Sequence, residues 1–168
     1  MYQKIKNLIP IISIILISFS SIMCNKAENI EPVYTSLIGK WELISYTIEA
    51  VKLNGEEFNY FEDYKKNGNA LAWEFFDNGI MKATENNVTV NSNWLLKVER
   101  LSGMSIDKGQ LILTGQYADQ VKTALKLNEL SYHIVTTASS NTMHVLIDPA
   151  NLSSIYSKVT IDYLYQRL

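Results

Sequence analysis

The sequence predicts an all-β fold, namely an antiparallel up-and-down barrel of about eight strands. From Leu37 onward, apolar residues fall mostly at every second position in short runs, which is typical of strands with one buried and one solvated face. Turn residues separate these runs, and helical spacing is scarce. A sheet made of short local hairpins must hide its two edges, and closure into a barrel hides them.

The alternating runs define the predicted strands. They are Trp41 to Val51, Ala70 to Phe76, Ile80 to Thr84, Trp94 to Leu101, Gln110 to Thr114, Leu130 to Thr137, Met143 to Ile147 and Val159 to Gln166. Leu43 and Ile44 are adjacent and both apolar, so the first strand shifts register after Leu43. This pattern predicts a β-bulge that bends the strand over one end of the barrel.

Glycine and asparagine mark the predicted turns, because they supply the positive φ that hairpins need. These turns are Asn54-Gly55, Asp77-Asn78-Gly79, Asp107-Lys108-Gly109 and Ser139-Ser140-Asn141. The clearest hairpin runs from Phe75 to Ile80, where aromatic strand residues lead directly into a three-residue turn.

Two segments break the alternation. Glu56 to Asn67 is charged and rich in tyrosine, whereas Ala118 to Lys126 places Val121, Ala124 and Leu125 at helical spacing. Each segment predicts a short helix or a lid-like loop, and the second is the better helix.

The N-terminus has the composition of an export signal. Lys4 and Lys6 precede an apolar run from Leu8 to Ile22, which is the order of a bacterial signal peptide. This run is shorter than the roughly 20 residues that a helix needs to span a bilayer. Cys24 follows directly and is the chain's single cysteine, so no disulfide can form within one chain.

The sequence Ser21-Ile22-Met23-Cys24 resembles the lipobox of bacterial lipoproteins, although that pattern has a small residue in place of Met23. The resemblance implies that Cys24 receives diacylglycerol and that residues 1–23 are removed. The alternative is cleavage after Ser20, which would leave a soluble secreted protein with an unmodified Cys24.

We therefore divide the chain into a signal peptide (1–23), a polar tether (24–36) and a barrel domain (37–168). The tether contains Pro32 and has no periodicity. The chain has 15 basic and 17 acidic residues and no basic cluster. Nucleic acid is therefore a poor candidate partner, because binding to phosphates depends on clustered cations.

The first predicted strand carries a recognisable motif. Leu37-Ile38-Gly39-Lys40-Trp41-Glu42-Leu43 resembles the G-x-W signature that opens lipocalins and the lipocalin-like domains of bacterial envelope lipoproteins. Ala72 to Gly79, Trp94-Leu95-Leu96 and Asp162 to Leu168 also fit that plan, so the resemblance covers Leu37 to Leu168. It implies a calyx-shaped barrel that carries a small apolar ligand, with the motif's tryptophan plugging one end.

Large aromatic residues lie on the more apolar register of the predicted strands, so a closed barrel would direct them inward. They are Trp41, Trp73, Phe75, Trp94, Tyr132 and Tyr163, and we take them as candidate ligand-binding residues. An eight-stranded barrel is wide enough either to be filled by such side chains or to hold one small ligand, and the sequence leaves both outcomes open.

We expect no metal, cofactor or catalytic site. His133 and His144 lie on neighbouring predicted strands, but they alternate with apolar neighbours and should face outward. Two imidazoles also fall short of the three or four ligands of a zinc site. The acidic residues of Glu56 to Asp63 are interleaved with aromatic ones and indicate a solvated segment. No nucleophile elbow or catalytic triad can be argued from the spacing of the serines.

Two functions remain after these exclusions. The first is a membrane-tethered, non-enzymatic carrier that binds a small apolar or amphiphilic molecule inside the barrel. The second is an interaction module with a filled barrel, whose loops dock another envelope protein. An internal void of several hundred Å³ favours the carrier, and a packed interior with an exposed apolar patch favours the module. The sequence sets no oligomeric state.

Overall fold

The structure is a computed structural model that describes residues 36–149 and 155–168. These residues belong to one compact unit, Glu31–Leu168. The predicted signal peptide, Cys24 and nearly all of the tether lie outside the described residues. Within the described part, no helix is both long enough and apolar enough to span a membrane.

The described elements are nine strands and one helix of ten residues. In chain order they are β1 (Gly39–Lys52), β2 (Glu57–Asp63), β3 (Leu71–Phe75), β4 (Ile80–Glu85), β5 (Val88–Ser102), β6 (Ser105–Thr114), α1 (Gln116–Leu125), β7 (Leu130–Thr137), β8 (Thr142–Ile147) and β9 (Tyr156–Arg167).

Eight of these strands close a ring. They follow the antiparallel order β1-β3-β4-β5-β6-β7-β8-β9, and β9 pairs back onto β1. The predicted all-β, eight-stranded up-and-down barrel is therefore confirmed. Because the strands alternate in direction, α1, the β1–β2 connection and the β4–β5 turn lie at one end of the barrel, which we call the helix end. We call the opposite end, where β1 begins, the Trp41 end.

The segment from Glu56 to Asn67 was expected to be a helix or a lid-like loop, and that prediction is wrong. Most of it forms β2, which pairs with the second half of β1 from Ser45↔Asp63 to Val51↔Glu57. β3 pairs with the first half of β1, so β2 and β3 lie in line along the same edge of β1. β2 shows no clear alternation of apolar and polar residues, because it is largely exposed and carries aromatic and charged side chains. Its pairing partner is β1, which lies earlier in the chain.

The bulge predicted after Leu43 is present. Leu43 pairs with Tyr165 of β9, but Ser45 pairs with Leu164, so Ile44 is the extra residue. Beyond this point the inward-facing positions of β1 change from odd to even numbers. Because side chains alternate at every residue, one extra residue moves the rest of the strand to the opposite face.

The hairpin predicted from Phe75 to Ile80 joins β3 to β4. Phe76 N–H donates to the Ile80 carbonyl at 2.9 Å, and Ile80 N–H donates to the Asn78 side chain at 3.1 Å. Gly79 has a φ of +79°, which an L side chain adopts only with strain.

The turn predicted at Asp107-Lys108-Gly109 is wrong, because these residues lie inside β6. The β5–β6 turn instead falls at Gly103, where φ is +61°. Gly109 allows close packing of its neighbours, because a Cβ atom there would lie 3.0 Å from Ile106 Cγ2 and 3.1 Å from Ile134 Cγ2.

The helix predicted over Ala118 to Lys126 is present as α1. Ala118 is fully buried, and its backbone N–H donates to the Ser92 hydroxyl of β5 at 3.3 Å. Lys126 ends the helix in the left-handed conformation. The short helix is therefore held at its N-terminal turn, against the barrel wall.

Trp41 and Arg167 pack together at the Trp41 end. Trp41 is buried, and its indole N–H donates to the Leu37 carbonyl at 2.8 Å. The Arg167 guanidinium lies over the Trp41 ring, 5.6 Å from its centroid, and donates to the Ile38 carbonyl at 2.6 Å. A Cβ on Gly39 would lie 3.2 Å from Arg167 Nη2, so glycine gives the guanidinium room to reach that carbonyl. Trp41 is therefore held in place at the end of the barrel where β1 begins.

Candidate ligand cavity

A cavity of about 480 Å³ lies inside the barrel, toward the helix end. This volume falls within the range of roughly 300–1,000 Å³ that is typical of small-molecule sites. Apolar residues of β1, β3 and β9 and the inner side of α1 form part of its wall. Six tyrosines contribute most of the polar atoms: Tyr46, Tyr64, Tyr117, Tyr132, Tyr163 and Tyr165.

The bulge in β1 determines which side chains of this strand line the cavity. Leu43 faces inward before the bulge, whereas Tyr46 and Ile48 face inward after it, and all three line the cavity. Tyr46 pairs with Tyr163 across the β1–β9 ladder, and their ring centroids lie 6.1 Å apart. Without the extra residue, Ser45 would occupy the inward position instead.

Trp73 of β3 forms the centre of the cavity floor. Its ring stacks on Tyr165 with a centroid distance of 4.6 Å, and it meets Tyr132 at 5.7 Å and Tyr117 at 5.8 Å. Phe75 meets it edge-on from the other side, at 6.0 Å. Such tilted and offset pairs fix ring orientation as well as burying area.

The indole N–H of Trp73 is buried and has no hydrogen-bond partner among the described residues. It lies close enough to the Tyr117 hydroxyl to oppose the rise in the pKa of Tyr117 that burial causes, but the two groups do not reach hydrogen-bonding geometry. The other two tryptophans donate to carbonyls, Trp41 to Leu37 and Trp94 to Phe76 at 3.0 Å. An unpaired buried donor is costly, and this one is enclosed by the surrounding side chains, because its nitrogen has almost no accessible surface.

Two carboxylates accept hydrogen bonds from tyrosines at the mouth of the cavity. Glu62 of β2 accepts from Tyr46 at 2.6 Å and from Tyr60 at 2.9 Å. Glu85, at the end of β4, accepts from Tyr64 at 3.0 Å and itself lines the cavity. The Tyr64–Glu85 contact connects the segment after β2 to β4, across a gap where these strands are not paired.

Burial and these contacts raise the pKa values of several phenols and lower that of one carboxyl group. Burial, and secondarily the bond to Glu62, raises the pKa of Tyr46. Burial and the bond to Glu85 raise the pKa of Tyr64 to about 12, and burial alone raises that of Tyr163 to about 12. The hydrogen bond from Tyr46 is the main cause that lowers the pKa of Glu62, and the hydrogen bond from Tyr60 is the second.

α1 covers part of the mouth. Gln120, Val121 and Ala124 of the helix line the cavity, and Ala124 is also exposed to solvent. Tyr117, in the first turn, packs edge-on against Trp73. The helix therefore contributes both to the floor and to the rim, and the cavity reaches solvent beside it.

The six residues proposed from sequence fall into two groups. Trp73, Tyr132 and Tyr163 line the cavity. Phe75 and Trp94 pack against each other below it, with ring centroids 5.4 Å apart.

Trp41 lies at the opposite end of the barrel, beside a separate cavity of about 290 Å³. The interior is therefore partly filled with aromatic side chains and partly hollow, with the larger cavity toward the helix end and the smaller one beside Trp41. The sequence had left these two outcomes as alternatives for the whole interior.

Sequence reasoning missed four of the lining tyrosines, Tyr46, Tyr64, Tyr117 and Tyr165, together with Glu62 and Glu85. The bulge after Leu43 was the signal that could have identified Tyr46, because it moves even-numbered residues inward. Tyr64 and Glu62 could not be found in this way, since the strand that positions them had been assigned as a helix or loop.

The two histidines lie away from this cavity. His133 is exposed on β7, whereas His144 Nδ1 lies 3.1 Å from the Asp162 carboxylate of β9. Within residues 36–149 and 155–168, no three or more His, Cys, Asp and Glu side chains are grouped in a way that could hold a metal ion.

Comparison of the chain with family models, curated proteins and solved structures gives no match.

Proposed function

We propose that the protein is a non-enzymatic carrier that binds one small amphiphilic molecule in the barrel cavity. The observation that carries this proposal is the cavity of about 480 Å³ with a largely aromatic lining. Burial of apolar ligand surface would drive binding, at roughly 25 cal/mol per Å². The hydroxyls of the lining tyrosines would orient the ligand, because a few placed polar groups in an apolar pocket determine specificity.

We further propose that the chain is a lipocalin-like lipoprotein, exported and anchored to a membrane of the cell envelope through lipidated Cys24. The closed up-and-down barrel and the buried position of Trp41 in Gly39-Lys40-Trp41 are compatible with a lipocalin-like fold. The leader pattern before Cys24 supports export. A tether of about twelve residues would keep the barrel within roughly 20 Å of the bilayer surface.

The test is titration of the purified protein with a fluorescent apolar probe, using two variants of α1. Ala124→Trp places a large ring at the cavity rim, whereas Thr123→Trp places the same ring on the exposed face of the helix. We expect saturable binding of one probe per chain to the wild type and to Thr123→Trp, with at least about tenfold weaker binding to Ala124→Trp.

Equal binding by the two variants would place the probe outside the cavity, and absence of saturable binding to the wild type would overturn the proposed function. Native mass spectrometry of protein isolated from its own cells adds two readouts, namely the mass of a co-purified ligand and the modification of Cys24. An unmodified N-terminus that begins after Ser20 would refute the lipid anchor.

A second candidate function, docking to another envelope protein, is favoured by exposed apolar side chains near the β1–β2 connection. Leu53 is 71% exposed and Ile155 is 55% exposed. Leu53 and Ile155 are adjacent, since their backbones share a 3.0 Å hydrogen bond. Contiguous exposed apolar surface often marks an interaction site. Crosslinking from position 53, and not from position 95 on the exposed face of β5, to one envelope protein would support this function.

A further inference from the structure

Tyr46 is the centre of a group of tyrosine rings at the mouth of the cavity. Its ring centroid lies 6.1 Å from that of Tyr60, 6.3 Å from that of Tyr64 and 6.1 Å from that of Tyr163. Tyr46, Tyr64 and Tyr163 all line the cavity. Aromatic rings that converge in this way attract a cation to their faces when it comes within about 6 Å, and aromatic cages of this kind bind quaternary ammonium groups.

The charges beside these rings are negative. Glu62 accepts hydrogen bonds from Tyr46 and Tyr60, and Glu85 accepts one from Tyr64. Glu85 is the one charged side chain among the described residues that line the cavity. A phenol that donates to a carboxylate presents a more electron-rich ring, which strengthens its attraction for a cation.

The neighbouring lysines do not offset this charge. Lys65, which follows the β2 segment, lies 2.6 Å from the Glu42 carboxylate, and Lys122 of α1 lies 2.8 Å from Asp119. Both amines are therefore paired with carboxylates outside the cavity. An anionic head group at the mouth would meet the carboxyl groups of Glu62 and Glu85 and no lining cation, and would be repelled.

The deeper part of the cavity suits the rest of such a ligand. Leu43, Ile48 and Ile161 supply apolar surface. The carboxylates therefore lie at the mouth of the site, and the apolar surface lies deeper in the barrel.

We propose that the cavity selects a cationic amphiphile, whose quaternary or protonated amine lies among the tyrosines and carboxylates of the mouth and whose apolar body lies within the barrel. This inference rests on the proposed ligand-binding function of the same cavity, and it specifies the ligand class. A free fatty acid, which the apolar interior alone would also accommodate, is excluded by the charge at the mouth.

The experiment compares three ligands of equal chain length by calorimetric titration of the purified protein: octyltrimethylammonium, 1-octanol and octanoate. We expect the cation to bind at least about tenfold more tightly than octanoate, with octanol between them. The double variant Glu62→Gln with Glu85→Gln keeps the side-chain size and an acceptor oxygen but removes both charges. It should weaken binding of the cation about tenfold and leave octanol within about twofold.

Glu49→Gln is the matched control, because Glu49 lies exposed on β1 and faces away from the cavity, and this variant should bind all three ligands as the wild type does. Circular dichroism spectra identical to the wild type would show that each variant is folded. Equal affinities of the wild type for the three ligands would overturn the inference and leave the carrier function standing. Absence of binding by all three would overturn both.

Discussion

The unpaired indole of Trp73 leads to a prediction that distinguishes it from the other core tryptophans. Trp73 is 1% exposed and Trp94 is 7% exposed, so replacing either by phenylalanine shrinks a buried ring. That change alone costs about 1–2 kcal/mol of unfolding free energy. The two variants differ in what happens to the N–H group.

In Trp94→Phe, the 3.0 Å hydrogen bond to the Phe76 carbonyl is lost and a carbonyl loses its partner. This adds about 1 kcal/mol to the cost, for a total of roughly 2–3 kcal/mol. In Trp73→Phe, an unsatisfied donor is removed from the interior. Removal of such a group recovers about 1–3 kcal/mol, so the variant should be within about 1 kcal/mol of the wild type.

The assay is urea denaturation of the ligand-free protein, followed by far-ultraviolet circular dichroism because the substitutions alter tryptophan fluorescence. We expect the unfolding free energies of the two variants to differ by about 2 kcal/mol, with unchanged slopes. Equal destabilisation by both substitutions would refute the reasoning, since it would mean that the Trp73 N–H is already paired in the free protein.

Three further predictions concern the barrel itself. The pKa values of Tyr64 and Tyr163 are raised to about 12 in the folded state, from 10.0. The contribution of these pKa shifts to stability is complete below pH 10 and is lost as the pH rises toward 12. Absorbance at 295 nm would report ionisation of the phenols, and alkaline titration would report unfolding. Ionisation of both phenols at pH 10 without unfolding would contradict this prediction. Gly109→Ala places a Cβ 3.2 Å from a main-chain carbonyl oxygen and should lower the unfolding free energy by about 1–2 kcal/mol, as measured in urea; a neutral effect would show that the strands separate easily. Arg167→Lys keeps the charge but loses the planar contact with Trp41 and should cost about 1–2 kcal/mol in the same assay, whereas an unchanged midpoint would show that the stacking is not stabilising.

Local features of the barrel were predictable because each depends on neighbouring residues. The Phe75 to Ile80 hairpin follows from a glycine at a positive φ between two apolar strands. The bulge at Ile44 follows from two adjacent apolar residues in an alternating run. In both cases the cause lies within a few residues of the effect.

The errors arose where a distant segment decides the structure. β2 is a strand because the second half of β1 offers it a backbone edge, and its own exposed side chains carry little alternation. Gly109 resembles a turn residue in sequence, but Ile106 and Ile134 converge on it from neighbouring strands. Such packing partners cannot be inferred from the local pattern.

The same distinction applies to the candidate site. The aromatic register of Trp73, Tyr132 and Tyr163 was readable because all three alternate within well-defined strands. The mouth was not readable, because Glu62 and Glu85 come together only when β2 extends the barrel wall beyond β3.

By itself, the sequence determined that the chain forms a closed antiparallel barrel with aromatic side chains inside, because alternation at period two specifies which face of each strand is buried. The tertiary structure decided how those side chains share the interior: a cavity of about 480 Å³ lies toward the helix end, and a smaller one of about 290 Å³ lies beside Trp41. The reason is geometric. The volume left inside a barrel depends on which side chains from different strands contact one another in its interior, and the strand register and the bulge in β1 determine those contacts.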